Sequence, residues 1–257
     1  MSLAVAVTNV SKHFANQVVL DNINLQVTSH QTLGGLIGPS GAGKTTLVKI
    51  IMGMDDPDTG EVTVLGKPMP NRETLAQIGF MAQSDALYEL LTGRENLTFF
   101  AELFHIAKKD IPARIEYAAG TVNLLEFLDR RVSNYSGGMK RRLSLALTLL
   151  ADPDLLILDE PTVGGIDPEL RQQIWQELNR LRDNGKAIII TTHVMEDAAQ
   201  CDNLAMIRDG HFITSGTPDE LLAKYHTDSL EEVFVKAGGK NNEYLSRLQT
   251  NFQRNDS

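Results

Sequence analysis

The chain has 257 residues and only one cysteine, Cys201. A single thiol cannot form an internal disulfide, so a disulfide-held scaffold is excluded and a reducing compartment is expected. No run approaches the roughly 20 apolar residues that a membrane-spanning helix needs. The N-terminus also lacks the basic and apolar regions of a secretion signal. We therefore expect any role at a membrane to depend on a separate partner.

Positive charge is also scarce. The chain has 24 Lys and Arg against 33 Asp and Glu, which gives a net charge of −9. Proteins that bind nucleic acid need surplus basic side chains to neutralise phosphates. Nucleic acid is therefore not the expected partner. The apolar content of 42% is ordinary for a globular protein with a real core.

The most informative feature that is present is a glycine-rich loop at residues 38–45, which fits the pattern G-x-x-x-x-G-K-[ST]. Such a loop points backbone N–H groups at an anion, and the helix that follows adds its positive end. A plain strand-to-helix turn is the alternative. The nucleotide-binding prediction covers Gly38, Pro39, Ser40, Gly41, Ala42, Gly43, Lys44, Thr45 and Thr46, with Lys44 on the β- and γ-phosphates and the Thr45 hydroxyl on Mg²⁺.

The hydrophobic pattern predicts an α/β fold. Apolar runs at 155–158 and 187–190 flank a helical segment at about 168–182, which is typical of a βαβ unit with parallel strands. The first thirty residues alternate like antiparallel strands, with turns expected at Asn16 and at Asp21–Asn22. We predict a P-loop core with a parallel sheet, an antiparallel β subdomain and an α-helical subdomain inserted at about 84–150. This domain would span residues 1–237, followed by a polar extension at 238–257.

Two acidic residues directly follow the apolar run at 155–158. Carboxylates at the carboxyl end of a parallel strand face the ligand crevice. Asp159 is predicted to hold Mg²⁺, directly or through the ion's surroundings. Glu160 is predicted to orient or deprotonate the attacking water. Two acids that merely cap a loop are the alternative.

A second anion site is predicted at Ser136, Gly137, Gly138 and Met139, which open another helix. Alone, this segment would be an ordinary helix cap. One nucleotide, however, rarely needs two phosphate cradles within one domain. The second cradle is therefore suited to the γ-phosphate of a nucleotide held by another copy.

Together, these motifs resemble those of the ATP-binding subunits of ABC transporters over about residues 4–238. Residues 38–45 resemble the Walker A loop, 155–160 the Walker B strand with its catalytic glutamate, and 136–139 the family signature. Tyr135 and Met139 replace the commoner Leu and Gln of that signature.

Further site residues follow from the resemblance alone. Gln83 matches the glutamine that touches Mg²⁺ or the attacking water, and His193 matches the histidine that contacts the γ-phosphate. Phe14 stands where the family stacks an aromatic ring on adenine. Asp167 matches the D-loop aspartate, but residues 160–167 contain one residue more than the family pattern, either Gly164 or Gly165. The longer loop predicts either an altered dimer interface with slower hydrolysis or a harmless bulge.

The resemblance implies an ATPase that binds ATP and Mg²⁺, closes as a dimer with a second copy, and drives a multi-span permease from the cytoplasmic face of the membrane. The stretch Ala86, Leu87, Tyr88, Leu90 and Leu91 is the predicted permease contact, with helix packing as the alternative. Residues 135–142 and 230–234 are similar to the corresponding segments of the family branch that exports drugs, polysaccharides or lipids. The alternatives are a soluble ATPase of the iron–sulfur assembly type and a nucleotide-binding regulator without turnover.

Overall fold

A computed structural model describes residues 3–15, 17–28, 32–84, 86–162 and 167–239. Its strands are β1 (Leu3–Phe14), β2 (Gln17–Thr28), β3 (Thr32–Ile37), β4 (Thr59–Val64), β5 (Lys67–Pro68), β6 (Ile78–Met81), β7 (Leu155–Asp159), β8 (Ala187–Thr192), β9 (Asn203–Arg208) and β10 (His211–Gly216). Its α-helices are α1 (Lys44–Ile51), α2 (Arg72–Leu75), α3 (Gly93–Leu103), α4 (Ile111–Thr121), α5 (Gly137–Leu149), α6 (Pro168–Asp183), α7 (Met195–Ala198), α8 (Pro218–Tyr225) and α9 (Leu230–Ala237).

The larger sheet has six strands in the order β10-β9-β3-β8-β7-β6. Its neighbours from β9 to β6 pair in parallel, and β10 pairs antiparallel to β9. Alternate residues of β7 enter opposite cores: Leu156 and Leu158 pack on one side of the sheet, Leu155 and Ile157 on the other. Burial of both faces explains why the strand is apolar without alternation.

A smaller antiparallel sheet, in the order β2-β1-β4-β5, is built from the N-terminal strands. The turn predicted at Asp21–Asn22 is wrong, because both residues lie inside β2. The β1–β2 register shifts there, Asn22 has a φ of 50°, and its N–H donates to Ser11 Oγ at 3.0 Å. This is a β-bulge, whose left-handed residue has the same composition signal as a turn. Asn16 lies outside the described residues.

Helices α3, α4 and α5 lie between β6 and β7 in the chain, within the stretch predicted to be helical. Of the predicted polar extension at 238–257, only Gly238 and Gly239 are described, and α9 ends just before them. None of the helices in the described segments is both long enough and apolar enough to cross a membrane.

A buried carboxylate in α7 connects that helix to α6 and to the segment that follows β7. Asp197, in α7, is only 1% exposed. It accepts hydrogen bonds from Thr162 Oγ1, shortly after β7, and from Trp175 Nε1 of α6 at 3.0 Å. Because a buried carboxylate is costly without donors, these contacts hold α6 and α7 in register with the end of β7.

We predict that Thr162→Val lowers the free energy of unfolding by about 1–3 kcal/mol, because the buried Asp197 loses a donor while the side-chain volume is kept. Thr148→Val is the matched control. Thr148 is also buried, but its hydroxyl donates only along its own helix, to Ser144 O at 3.0 Å. Urea unfolding of both variants measures the difference. Equal losses for the two would contradict the role assigned to the Asp197 contacts.

Candidate functional site

The glycine-rich loop leaves β3 at Ile37 and ends at Gly43, which has a φ of 105° and N-caps α1. A Cβ at Gly43 would lie 2.7 Å from Val19 O and 2.8 Å from Leu20 Cδ2. The left-handed backbone and the close approach together require glycine at this position. The strand–loop–helix context predicted for the loop is therefore present.

Lys44 is buried beneath the loop. Its Nζ donates to Gly38 O at 2.5 Å and to Pro39 O at 3.1 Å. Burial lowers the pKa of the Lys44 ammonium, and the nearby carboxylates of Glu160 and Asp159 act in the opposite direction. An incoming triphosphate adds negative charge, which favours the charged form of the lysine.

Asp159 bridges three elements at the carboxyl edge of the parallel strands. One carboxylate oxygen accepts from Thr45 Oγ1 at 3.4 Å, and the other accepts from Thr191 Oγ1 at the end of β8. The Thr45 hydroxyl, the Asp159 carboxylate and the Gln83 side chain are oxygen ligands of the kind Mg²⁺ prefers. The described residues contain no group of three or more His, Cys, Asp and Glu suited to a metal. Mg²⁺ usually takes only one or two carboxylates and fills its other positions with phosphates and water, so this donor set fits it.

Glu160 lies one residue beyond Asp159, with a left-handed φ of 54°. Its N–H donates to both the carbonyl and the hydroxyl oxygen of Thr191, each at 3.1 Å. Its carboxylate is 2.9 Å from His193 Nδ1 and accepts from Gln83 Nε2 at 3.4 Å. Glu160 is thus in direct contact with Gln83, predicted to touch Mg²⁺ or the attacking water, and with His193, predicted to contact the γ-phosphate.

A cavity of about 290 Å³ lies beside Gln83 and Glu160, and neither His193 nor Asp159 is among its lining residues. Phe14, 49% exposed, forms one wall, and Lys12 Nζ lies 5.3 Å from the centre of its ring. Val19 is a wall residue that sequence reasoning missed, because an apolar residue in a strand gives no sign of facing a ligand. The cavity is lined by Phe14, Val19, Ser40, Gly41, Gly43, Lys44, Thr45, Thr46, Gln83 and Glu160.

The second predicted anion site is not part of this cavity. Ser136 N-caps α5, and its hydroxyl accepts from Met139 N at 3.2 Å. Ser136 and Gly137 are exposed. Asp167 likewise does not line the cavity; it caps α6 by accepting from Leu170 N at 2.9 Å. The extra residue predicted at Gly164 or Gly165 lies outside the described residues.

Two further residues near the site were not predicted. Thr191 could have been found from the sheet register, since it pairs with Asp159 across β7 and β8. Arg141 donates to the backbone carbonyls of Ala82, Gln83, Asp159 and Glu160. In the sequence it lies within a basic run at 140–142, which carries no sign of which arginine turns inward.

Comparison with known proteins places this architecture in a family. A family model described as "ABC transporter" matches residues 20–163. The Nod factor export ATP-binding protein I of Rhizobium meliloti (strain 1021) is 44% identical over 224 residues, which cover 86% of this chain and 66% of that protein. The chain therefore spans just under two thirds of the length of that relative.

Two solved structures show the same fold. An ATP-binding subunit of an ABC transporter is 26% identical, with a TM-score of 0.84, over 93% of this chain and all of the other. A dimeric ATP-binding cassette, in a post-hydrolysis state with ADP and Pi, is 25% identical, with a TM-score of 0.75, over 83% of this chain and 98% of the other. The predicted α/β fold, with its parallel and antiparallel sheets, is confirmed.

The matched family and the shared fold lead to one conclusion: this chain belongs to the ABC transporter family and has the fold of its ATP-binding cassettes.

Proposed function

We propose that the chain binds ATP with Mg²⁺, hydrolyses it between two copies, and thereby drives a separate permease that moves a substrate across a membrane. The observation that carries this proposal is the division of the site. One cavity gathers the loop, Glu160 and Gln83, while the exposed cap at Ser136 lies outside it. Each chain thus carries two half-sites, the cavity and the exposed cap. In a two-fold dimer the cavity of one chain can meet the cap of the other, which gives two equivalent sites.

Within one site, the contacts support the following roles. The triphosphate lies on the N–H groups of residues 38–45, with Lys44 at the β- and γ-phosphates and adenine against Phe14. Thr45, Asp159 and Gln83 would hold Mg²⁺, which neutralises charge on the phosphates when it is bound. Glu160 accepts a proton from water as the water oxygen bonds to the γ-phosphorus and the bond to the β-phosphate oxygen breaks. His193 contacts the γ-phosphate and holds the Glu160 carboxylate in place.

The partner copy completes the site from the other side. We propose that the Ser136 hydroxyl and the N–H groups of Gly137 and Gly138, with Met139 beside them, close over the γ-phosphate bound by the opposite chain. Asp167, at the start of α6, lies on the same interface. Hydrolysis removes the phosphate that both chains share, so the dimer opens, and this cycle is the motion delivered to the permease.

An apolar groove beside Gln83 suits the permease. It has a volume of about 330 Å³ and runs between β6 and helices α3 and α5. Next to it, Tyr88 is 50% exposed and stacks edge-to-face on Phe99 at 5.0 Å, and Leu90 is 81% exposed. We propose that this surface, from Ala86 to Leu91, binds a cytoplasmic segment of the permease, which places the chain on the cytoplasmic face of the membrane. The export system of the rhizobial relative favours this partner over the iron–sulfur scaffold.

We predict that Glu160→Gln and Ser136→Ala each lower the ATPase rate by about a hundredfold, since one removes the proton acceptor and the other a γ-phosphate donor. Glu160→Gln still binds ATP and accumulates as a dimer. Two changes serve as controls and keep the wild-type rate: Glu116→Gln at an exposed glutamate, and Ser229→Ala, which removes an equivalent N-cap from α9.

Mixing the two slow variants tests directly whether each site is shared between two chains. A mixed dimer contains one site with both Glu160 and Ser136 intact, so an equimolar mixture regains about a quarter of the wild-type rate. The rate is read from phosphate release. No recovery in a mixture shown to contain mixed dimers would contradict the shared site.

We predict that Tyr88→Ser abolishes capture of a multi-span membrane protein from detergent-solubilised membranes while the ATPase rate of the isolated chain is kept, because the change removes apolar contact area outside the nucleotide site. Met54→Ser, at another exposed apolar residue, is the matched control and keeps the capture. Mass spectrometry identifies the captured protein. A cytosolic scaffold recovered in its place would support the iron–sulfur type of ATPase instead.

A further inference from the structure

One buried arginine contacts the backbone on both sides of the hydrolytic site. Arg141, in the second turn of α5, is 6% exposed. Its Nη1 donates to Ala82 O at 2.7 Å and to Gln83 O at 3.1 Å. Its Nη2 donates to Asp159 O and, at 2.8 Å, to Glu160 O. A single guanidinium therefore joins four carbonyls from two separate segments.

Those two segments carry the groups that face the γ-phosphate. Strands β6 and β7 are parallel neighbours with Met81 opposite Leu158, so the chain leaves both strands at the same edge of the sheet. Gln83 and Glu160 follow in the two exit loops, and Arg141 spans the gap between them. The spacing of their side chains, 3.4 Å from Gln83 Nε2 to Glu160 Oε2, depends on how these loops are held.

The backbone at Glu160 needs this support. Its φ of 54° lies in the left-handed region, which a residue with a Cβ adopts only when its surroundings hold it there. Thr191 holds the N–H of Glu160, and Arg141 holds its carbonyl. Both peptide groups that flank the residue are thus anchored, which fixes the direction in which the Glu160 side chain leaves the backbone.

We propose that Arg141 is a positioning residue for ATP hydrolysis, acting through the Glu160 carboxylate without touching the nucleotide. This inference rests on the proposed role of Glu160. The planar fork of arginine serves two pairs of acceptors at once, and the single ammonium of lysine does not. These hydrogen bonds of Arg141 go to the segments that carry Gln83 and Glu160, and none of them goes to the loop at 38–45 that is proposed to hold the triphosphate. We therefore expect Arg141 to affect turnover more than ATP affinity.

The adjacent residue is a matched control in the same helix. Arg142 also donates to two backbone carbonyls, Val122 O at 3.3 Å and Asn123 O at 3.1 Å. These lie just after α4, and neither belongs to the segments that carry Gln83 and Glu160. Arg142→Gln therefore removes a comparable pair of hydrogen bonds from α5 without releasing the hydrolytic carboxylate.

The experiment measures kcat, KM and the dissociation constant of a fluorescent mant-ATP for the full chain. For Arg141→Gln, we expect kcat to fall about tenfold or more, with KM and mant-ATP affinity within about twofold of wild type. The kcat of Arg141→Lys is expected to lie between those of wild type and Arg141→Gln. If the glutamine variant does not fold, the kcat of Arg141→Lys tests the proposal in its place. Arg142→Gln keeps kcat within about twofold. Equal loss of kcat in the Arg141→Gln and Arg142→Gln variants, or an unchanged kcat in both Arg141 variants, overturns the proposal.

A double-mutant cycle separates positioning from general support. If Arg141 acts through Glu160, adding Arg141→Gln to Glu160→Gln slows single-turnover hydrolysis no further. A further tenfold loss in the double variant overturns the proposal while leaving the role of Glu160 intact. A wild-type rate for Glu160→Gln alone refutes the proposed function itself, so the two failures are distinguishable.

Discussion

The hydrogen bonds of the Asp159 carboxylate are the constraint on which the rest of the site depends. This side chain ends β7 and accepts from Thr45 in the first turn of α1 and from Thr191 in β8. It therefore fixes the phosphate loop relative to two neighbouring strands. Glu160, which follows it, is turned toward Gln83 and His193 by a left-handed backbone. The oxygen atoms proposed to bind Mg²⁺ and the carboxylate proposed to act in hydrolysis thus share one anchor.

The sequence was sufficient to predict those parts of the site that are set by local patterns. The glycine loop must be followed by a helix, and a fully apolar strand such as β7 must be buried on both faces, so residues 38–45 and 155–160 could be placed beforehand. Gln83 and His193 required the family resemblance, because an isolated Gln or His has no local signal. Arg141 and Val19 were missed because their roles depend on long-range packing: which arginine of a basic run turns inward, and which strand residue faces the cavity.

The bulge at Asp21–Asn22 shows the same limit at the level of the fold. Asp and Asn favour left-handed backbone in turns and in bulges alike. Only the pairing of β1 with β2 across the shifted register distinguishes the two. Local sequence therefore identifies the backbone conformation, while the neighbouring strand decides what structure it serves.

The division of chemistry between the cavity and the exposed Ser136 cap connects the fold to function. If the γ-phosphate contacts are split between these two surfaces, as proposed, the chain gains its full set only when two copies meet. Ala82 and Ser84, the neighbours of Gln83 in the chain, line the apolar groove, and Gln83 itself contacts Glu160. We propose that closure of the site moves the surface that binds the permease through this segment. The most direct test of this account is the ATPase rate per chain measured over serial dilution in saturating ATP and Mg²⁺, alongside the dimer fraction from sedimentation velocity. The account predicts that the rate falls in step with the dimer fraction, and a constant rate where only monomers sediment would contradict it.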